Sequence, residues 1–251
     1  MSAILEIKNL DKHFGGIHVA NNINVNFKQE EMSAIIGPNG AGKTTFFNLI
    51  TGFIPPDNGV VLYKGQDITK VRPETIVKLG IVRAFQIASV FLEETVYDNV
   101  YLASLAHFQK NTKIFVNRMT FKNAHEHTEF ILKKIGLYDC RNLKASELSH
   151  GDMKALDIAI ALTLEPKILL LDEPTAGMAP DERFKMMHLL KELHDYFKLT
   201  MIFIEHDMDI VFSIAQIIRV LVQGQLIAEG NPDYIRQHEG VIEAYLGKEV
   251  L

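Results

Sequence analysis

Gly37-Pro38-Asn39-Gly40-Ala41-Gly42-Lys43-Thr44-Thr45 is the stretch from which the rest of this 251-residue sequence is best read. Its spacing is Gly, four residues, then Gly-Lys-Thr. It follows a short apolar run, Ala34–Ile36, and opens the helical pattern Thr44–Thr51. A strand that enters a glycine-rich turn and leaves as a helix makes a cradle for phosphate. Glycines let the backbone approach oxygen atoms closely, and successive N–H groups with the helix N-terminus supply donors and positive potential. In such a cradle Lys43 reaches the β- and γ-phosphates and the Thr44 hydroxyl ligates Mg²⁺. A glycine-rich turn without a ligand is the plainer reading, and the strand-to-helix context weighs against it.

A second stretch, Ile168-Leu169-Leu170-Leu171-Asp172-Glu173, places two acids at the end of four apolar residues. Ligands of open α/β sheets sit at the carboxyl ends of the strands. Asp172 is placed to hold a magnesium ion through water, and Glu173 to polarise a water in line with a γ-phosphate. Alone, a strand ending in Asp-Glu is more often a solvated loop pair. Beside a phosphate cradle it is a specific signal.

Around these motifs the apolar runs Ile4–Ile7, Val60–Leu62, Met201–Ile204 and Ile217–Val222 predict further strands. Several lack period-two alternation, as strands buried on both faces do. Helical patterns cover Gly151–Leu164 and Asp181–Phe197, so the expected fold class is α/β with a largely parallel core and antiparallel pieces near the start. From Ala88 to Leu148 the patterning is helical (Val96–Phe108, Phe121–Ile135), which predicts an all-helical insertion. The expected organisation is one domain over 1–251. Its α/β core spans 1–87 and 151–251, and a helical subdomain spans 88–150.

Composition narrows the class. Hydrophobic residues make up 47% of the chain, enough for a substantial core. A net charge of −5 argues against a dedicated nucleic-acid binder. The only cysteine is Cys140, so an intrachain disulfide is excluded and a reducing compartment is expected. No apolar run approaches the ~20 residues of a spanning helix, and the first ten residues alternate unlike a secretory signal. A cytosolic protein is expected.

Leu148-Ser149-His150-Gly151-Asp152 precedes a helix, with Ser149 as a candidate N-cap. The order phosphate loop, helical insertion, Leu-Ser-x-Gly-x, acidic strand resembles the ATP-binding subunit of an ABC transporter over essentially the whole chain. The resemblance implies a P-loop NTPase: a RecA-like core with an antiparallel β subdomain, and an inserted helical subdomain carrying the signature motif at its end. It implies ATP and Mg²⁺ as ligands, Phe14 against the adenine, Gln86 touching Mg²⁺ alongside Thr44 and Asp172, and His206 at the γ-phosphate. Glu173, His206 and Lys43 are the implied catalytic residues. It also implies head-to-tail pairing, so that Ser149 and Gly151 of one subunit face the nucleotide held by Gly37–Thr45 of the other. Four positions depart from the usual pattern. His150 and Asp152 stand where Gly and Gln are common, Ala179 where an Asp is, and Ile160 where an Arg is often found in the helix after the motif.

Phe14-Gly15-Gly16, Ala176-Gly177-Met178-Ala179-Pro180 and the ending Ala228-Glu229-Gly230-Asn231-Pro232 look like the subfamily serving branched-chain amino acid importers. The expected function is the ATP-hydrolysing motor of such an importer. It would be peripheral on the inner face of the cell membrane, with permease subunits, a second ATP-binding subunit and a solute-binding protein as partners, and no nucleic acid. The alternatives are the ATPase of lipopolysaccharide export and a soluble non-transport ABC ATPase.

Overall fold

The computed structural model describes residues 3–84, 90–108 and 118–246. The chain begins with β1 (Ala3–Phe14), β2 (Ile17–Lys28), β3 (Met32–Ile36), α1 (Lys43–Ile50), β4 (Asn58–Tyr63), β5 (Gln66–Asp67), α2 (Pro73–Leu79) and β6 (Ile81–Ala84). The helices α3 (Val96–Phe108), α4 (Arg118–Ile135) and α5 (His150–Leu162) follow. Then come β7 (Ile168–Asp172), α6 (Pro180–Phe197), β8 (Thr200–Ile204), α7 (Met208–Ile214), β9 (Ile217–Val222), β10 (Gln225–Gly230), α8 (Pro232–Gln237) and α9 (Glu239–Leu246).

Two sheets organise these elements. The larger has the order β10-β9-β3-β8-β7-β6, and the smaller the order β2-β1-β4-β5. In the larger sheet β6, β7, β8, β3 and β9 run parallel, and only β10 is antiparallel. The smaller sheet is antiparallel throughout.

Burial explains the unbroken apolar runs. Along β7 every residue is buried. Ile168 and Leu170 join a core shared with β1, β2 and α1, while Leu169 and Leu171 join the core shared with α5 and α6. Alternate side chains point to opposite faces, so a strand covered on both sides must be apolar at every position. Helix α1 lies between the sheets, with Phe46, Phe47, Leu49 and Ile50 buried. The residues before α1 are thereby held at the carboxyl ends of β3, β7 and β8.

Candidate nucleotide site

Gly37–Gly42 form the turn from β3 into α1, and its shape requires glycine at two points. Gly37 has φ +155°, and a Cβ there would meet the Leu221 carbonyl oxygen at 2.0 Å. Gly42, the N-cap of α1, has φ +99°, and a Cβ would meet the Val19 carbonyl oxygen at 2.4 Å. Any other residue at either place displaces backbone.

The Lys43 ammonium bends back over this turn and donates to the carbonyls of Gly37 (2.7 Å) and Pro38 (3.1 Å). Burial holds its pKa below the ordinary lysine value, while the Glu173 and Asp172 carboxylates oppose that shift. Asn39, Gly40, Ala41, Gly42, Lys43, Thr44 and Thr45 line one cavity with Glu173 and His206. Thr44 is exposed there.

The acids arrive from the ends of β7 and β8. Asp172 is buried; one of its oxygens, Oδ2, accepts from Arg83, which also donates to Asn48 at 2.6 Å. Its other oxygen, Oδ1, is buried with no hydrogen-bond partner. Glu173 has a left-handed backbone, φ +51°, uncommon away from glycine. Its Oε1 lies 3.0 Å from His206 Nε2. Lys154, from α5, donates to the Glu173 carbonyl oxygen at 3.0 Å, and the Glu173 N–H donates to the Ile204 carbonyl at 3.0 Å.

Ser149 and Gly151 lie elsewhere. Ser149 caps α5, accepting from the Asp152 N–H. Both line a separate cavity with Asp152, Met178 and Lys185, so within one chain they do not meet the phosphate loop. His150 Nε2 lies 3.0 Å from the Ala176 carbonyl oxygen. Phe14 closes β1 and is 46% exposed, with the Lys12 ammonium 5.7 Å from its ring centre. Phe14 is therefore not a core aromatic. Gln86 lies outside the described residues.

Three residues of the site were not singled out from sequence: Arg83 on Asp172, Lys154 on Glu173, and Glu205. No motif marks Arg83 or Lys154. Glu205 had one signal, an acid directly before His206 at the end of an all-apolar strand.

A sequence profile of ABC transporters matches residues 20–176, well over half of the chain. The chain belongs to the ABC transporter family. A second profile, of branched-chain amino acid ATP-binding cassette transporters, matches residues 225–250. The high-affinity branched-chain amino acid transport ATP-binding protein LivG of Escherichia coli is 38% identical, covering 98% of both chains. A solved ATP-binding cassette of an ABC transporter in its ADP conformation superposes with a TM-score of 0.86 at 32% identity, covering 99% of this chain and all of that one. A dimeric bacterial ABC transporter cassette gives 0.77 at 26% identity, covering 91% of this chain and 98% of the other. This family member is an ATPase with the ABC-type P-loop fold. It binds nucleotide, and the family pairs such cassettes and couples them to membrane permeases. Among the described residues no helix is long and apolar enough to cross a membrane.

Proposed function

We propose that this chain is the ATP-hydrolysing motor of an importer for branched-chain amino acids or related small solutes. The full-length similarity to LivG and the match over residues 225–250 support that cargo class. The observation that carries the chemistry is the pair Glu173 Oε1 and His206 Nε2, 3.0 Å apart beside the phosphate loop. In this reading Gly37–Thr45 wrap the phosphates, Lys43 swings from the loop carbonyls to the β- and γ-phosphate oxygens, and Phe14 stacks on the adenine. Glu173 orients and deprotonates the attacking water, and His206 holds Glu173 and touches the γ-phosphate.

The residues fit a magnesium ion that travels with ATP. Asp172 Oδ1 is buried and without a partner, and the Thr44 side chain opens into the cavity. No group of three or more His, Cys, Asp or Glu among the described residues could hold a metal. That suits an ion bound mainly by phosphates and water. Thr44, Asp172 and Gln86 are the residues that would hold it, and when bound it neutralises charge developing on the phosphates.

Ser149, Gly151 and the N-terminus of α5 would meet the γ-phosphate bound by a second subunit. Helices α3 and α4 belong to the helical subdomain, which carries the Ser149–Gly151 motif at its end and would contact the permease. A solute-binding protein completes the system, and the chain works on the cytoplasmic face of the membrane.

The test is Glu173→Gln. It should bind ATP, hydrolyse it at least about a hundredfold more slowly, and accumulate an ATP-held dimer. Turnover within a few-fold of the unmodified protein would remove Glu173 from the catalytic role.

A further inference from the structure

Glu205 is a carboxylate only 4% exposed at the end of β8. Its Oε1 accepts from both the Thr175 N–H (2.9 Å) and the Thr175 hydroxyl (2.6 Å). Its Oε2 accepts from the His206 N–H at 3.2 Å. Among the described residues no lysine or arginine forms an ion pair with it. Burying a carboxylate is expensive unless hydrogen bonds compensate, and here three donors from two different loops converge on it. Those loops are the ones that carry Glu173 and His206.

The backbone gives this convergence a consequence. Glu173, two residues before Thr175, sits at φ +51°, a conformation that costs a non-glycine residue energy and persists only where its surroundings enforce it. On one side the Glu173 N–H is tied to Ile204 and its carbonyl oxygen to Lys154. On the other side Thr175 is gripped by Glu205. The same carboxylate accepts from the backbone N–H of His206, the residue whose imidazole meets Glu173.

We infer that Glu205 is a positioning residue for hydrolysis: its buried carboxylate clamps the Glu173 loop to the His206 loop and so holds the two side chains in register. Glu205 lines no part of the phosphate-loop cavity, so its removal leaves nucleotide contacts in place. Its effect falls on the rate of the chemical step. The inference rests on the proposed roles of Glu173 and His206.

The experiment compares Glu205→Ala, Glu205→Gln and Thr175→Val in the purified full-length chain, measuring ATPase kcat, KM for ATP and thermal unfolding. Gln keeps an oxygen for the Thr175 donors but turns an amide NH₂ toward the His206 N–H. Thr175→Val removes one of the three bonds. The expected order of kcat is unmodified, then Thr175→Val, then Glu205→Gln, then Glu205→Ala, the last down at least about tenfold. KM should change less than about threefold across the series. Equal losses in kcat and ATP binding, or kcat within twofold of the unmodified protein in Glu205→Gln, overturn the clamp. Glu205→Gln also decides the matter if Glu205→Ala fails to fold. Glu173→Gln, run alongside, separates the two levels. If it stays active the catalytic reading itself has failed. If it is inactive while both Glu205 variants turn over normally, only the clamp has.

Discussion

Asp152 holds the Ser149 hydroxyl from both sides: its N–H donates to Ser149 Oγ at 3.1 Å, and Ser149 Oγ donates to Asp152 Oδ2 at 2.8 Å. The Asp that replaces the more usual Gln thus fixes the cap of α5 while placing a negative charge beside the proposed docking point for a partner's γ-phosphate. Two like charges a few ångströms apart at a solvated surface cost about 1 kcal/mol. Asp152→Asn, made in the Glu173→Gln background, relieves this at both symmetric sites of the pair, about 2 kcal/mol in all, and should tighten ATP-dependent dimerisation about thirtyfold, with the gain shrinking as salt is raised. Sedimentation at graded ATP and salt reads this directly. An unchanged or weakened dimer means that Asp152 does not face the phosphate.

How much of this was legible beforehand depends on whether the signal was local. The phosphate loop could be read because Gly37, Gly42 and Lys43 lie within seven residues of one another. β7 could be read because burial on both faces forces Ile168–Leu171 to be uniformly apolar. Helix α3 was expected at Val96–Phe108 and is found there. β2 is not among the strands expected from sequence: Ile23, Val25 and Phe27 alternate with Asn22, Asn24 and Asn26, and asparagine is depleted in strands. The seven-residue helices α2 and α7 are too short to show a periodicity. Arg83 and Lys154 meet their carboxyl-end partners only after β6 pairs with β7 and α5 packs over them, 89 and 19 residues away in sequence. No spacing rule reaches contacts of that kind.

Cys140 is half-buried, its thiol directed at the Leu137 carbonyl oxygen. Burial, helped by the negative charge of Asp152, pushes its pKa above the ordinary thiol value. A raised pKa leaves less thiolate at neutral pH, and thiolate is the reactive form. Alkylation at pH 7.5 should therefore run more slowly than for a free thiol, with the gap narrowing as the pH is raised. Reaction at the free-thiol rate at pH 7.5 would contradict this account of the site.

Arg219, on β9, is 2% exposed and reaches across the boundary between the two sheets. It donates to Glu31 at 2.8 Å, to the Asn26 carbonyl on β2, and to Glu229 on β10 at 3.3 Å. Its guanidinium lies 4.1 Å from the centre of the Phe27 ring. One planar cation therefore joins the antiparallel sheet to the parallel one. Removing it by Arg219→Ala leaves the Glu31 carboxylate, only 6% exposed, without its cation. Breaking a buried pair from one side costs about 3–5 kcal/mol, which for a chain of this size lowers the melting temperature by roughly 10 °C. Arg219→Lys keeps the charge but loses the fork and the ring contact, so it should fall between. The double variant Arg219→Met, Glu31→Leu removes both charges, and most of the lost stability should return. Calorimetry on the four proteins decides it. If the double variant melts no higher than Arg219→Ala, the loss came from packing on Phe27, and the ion pair is not what ties the sheets together.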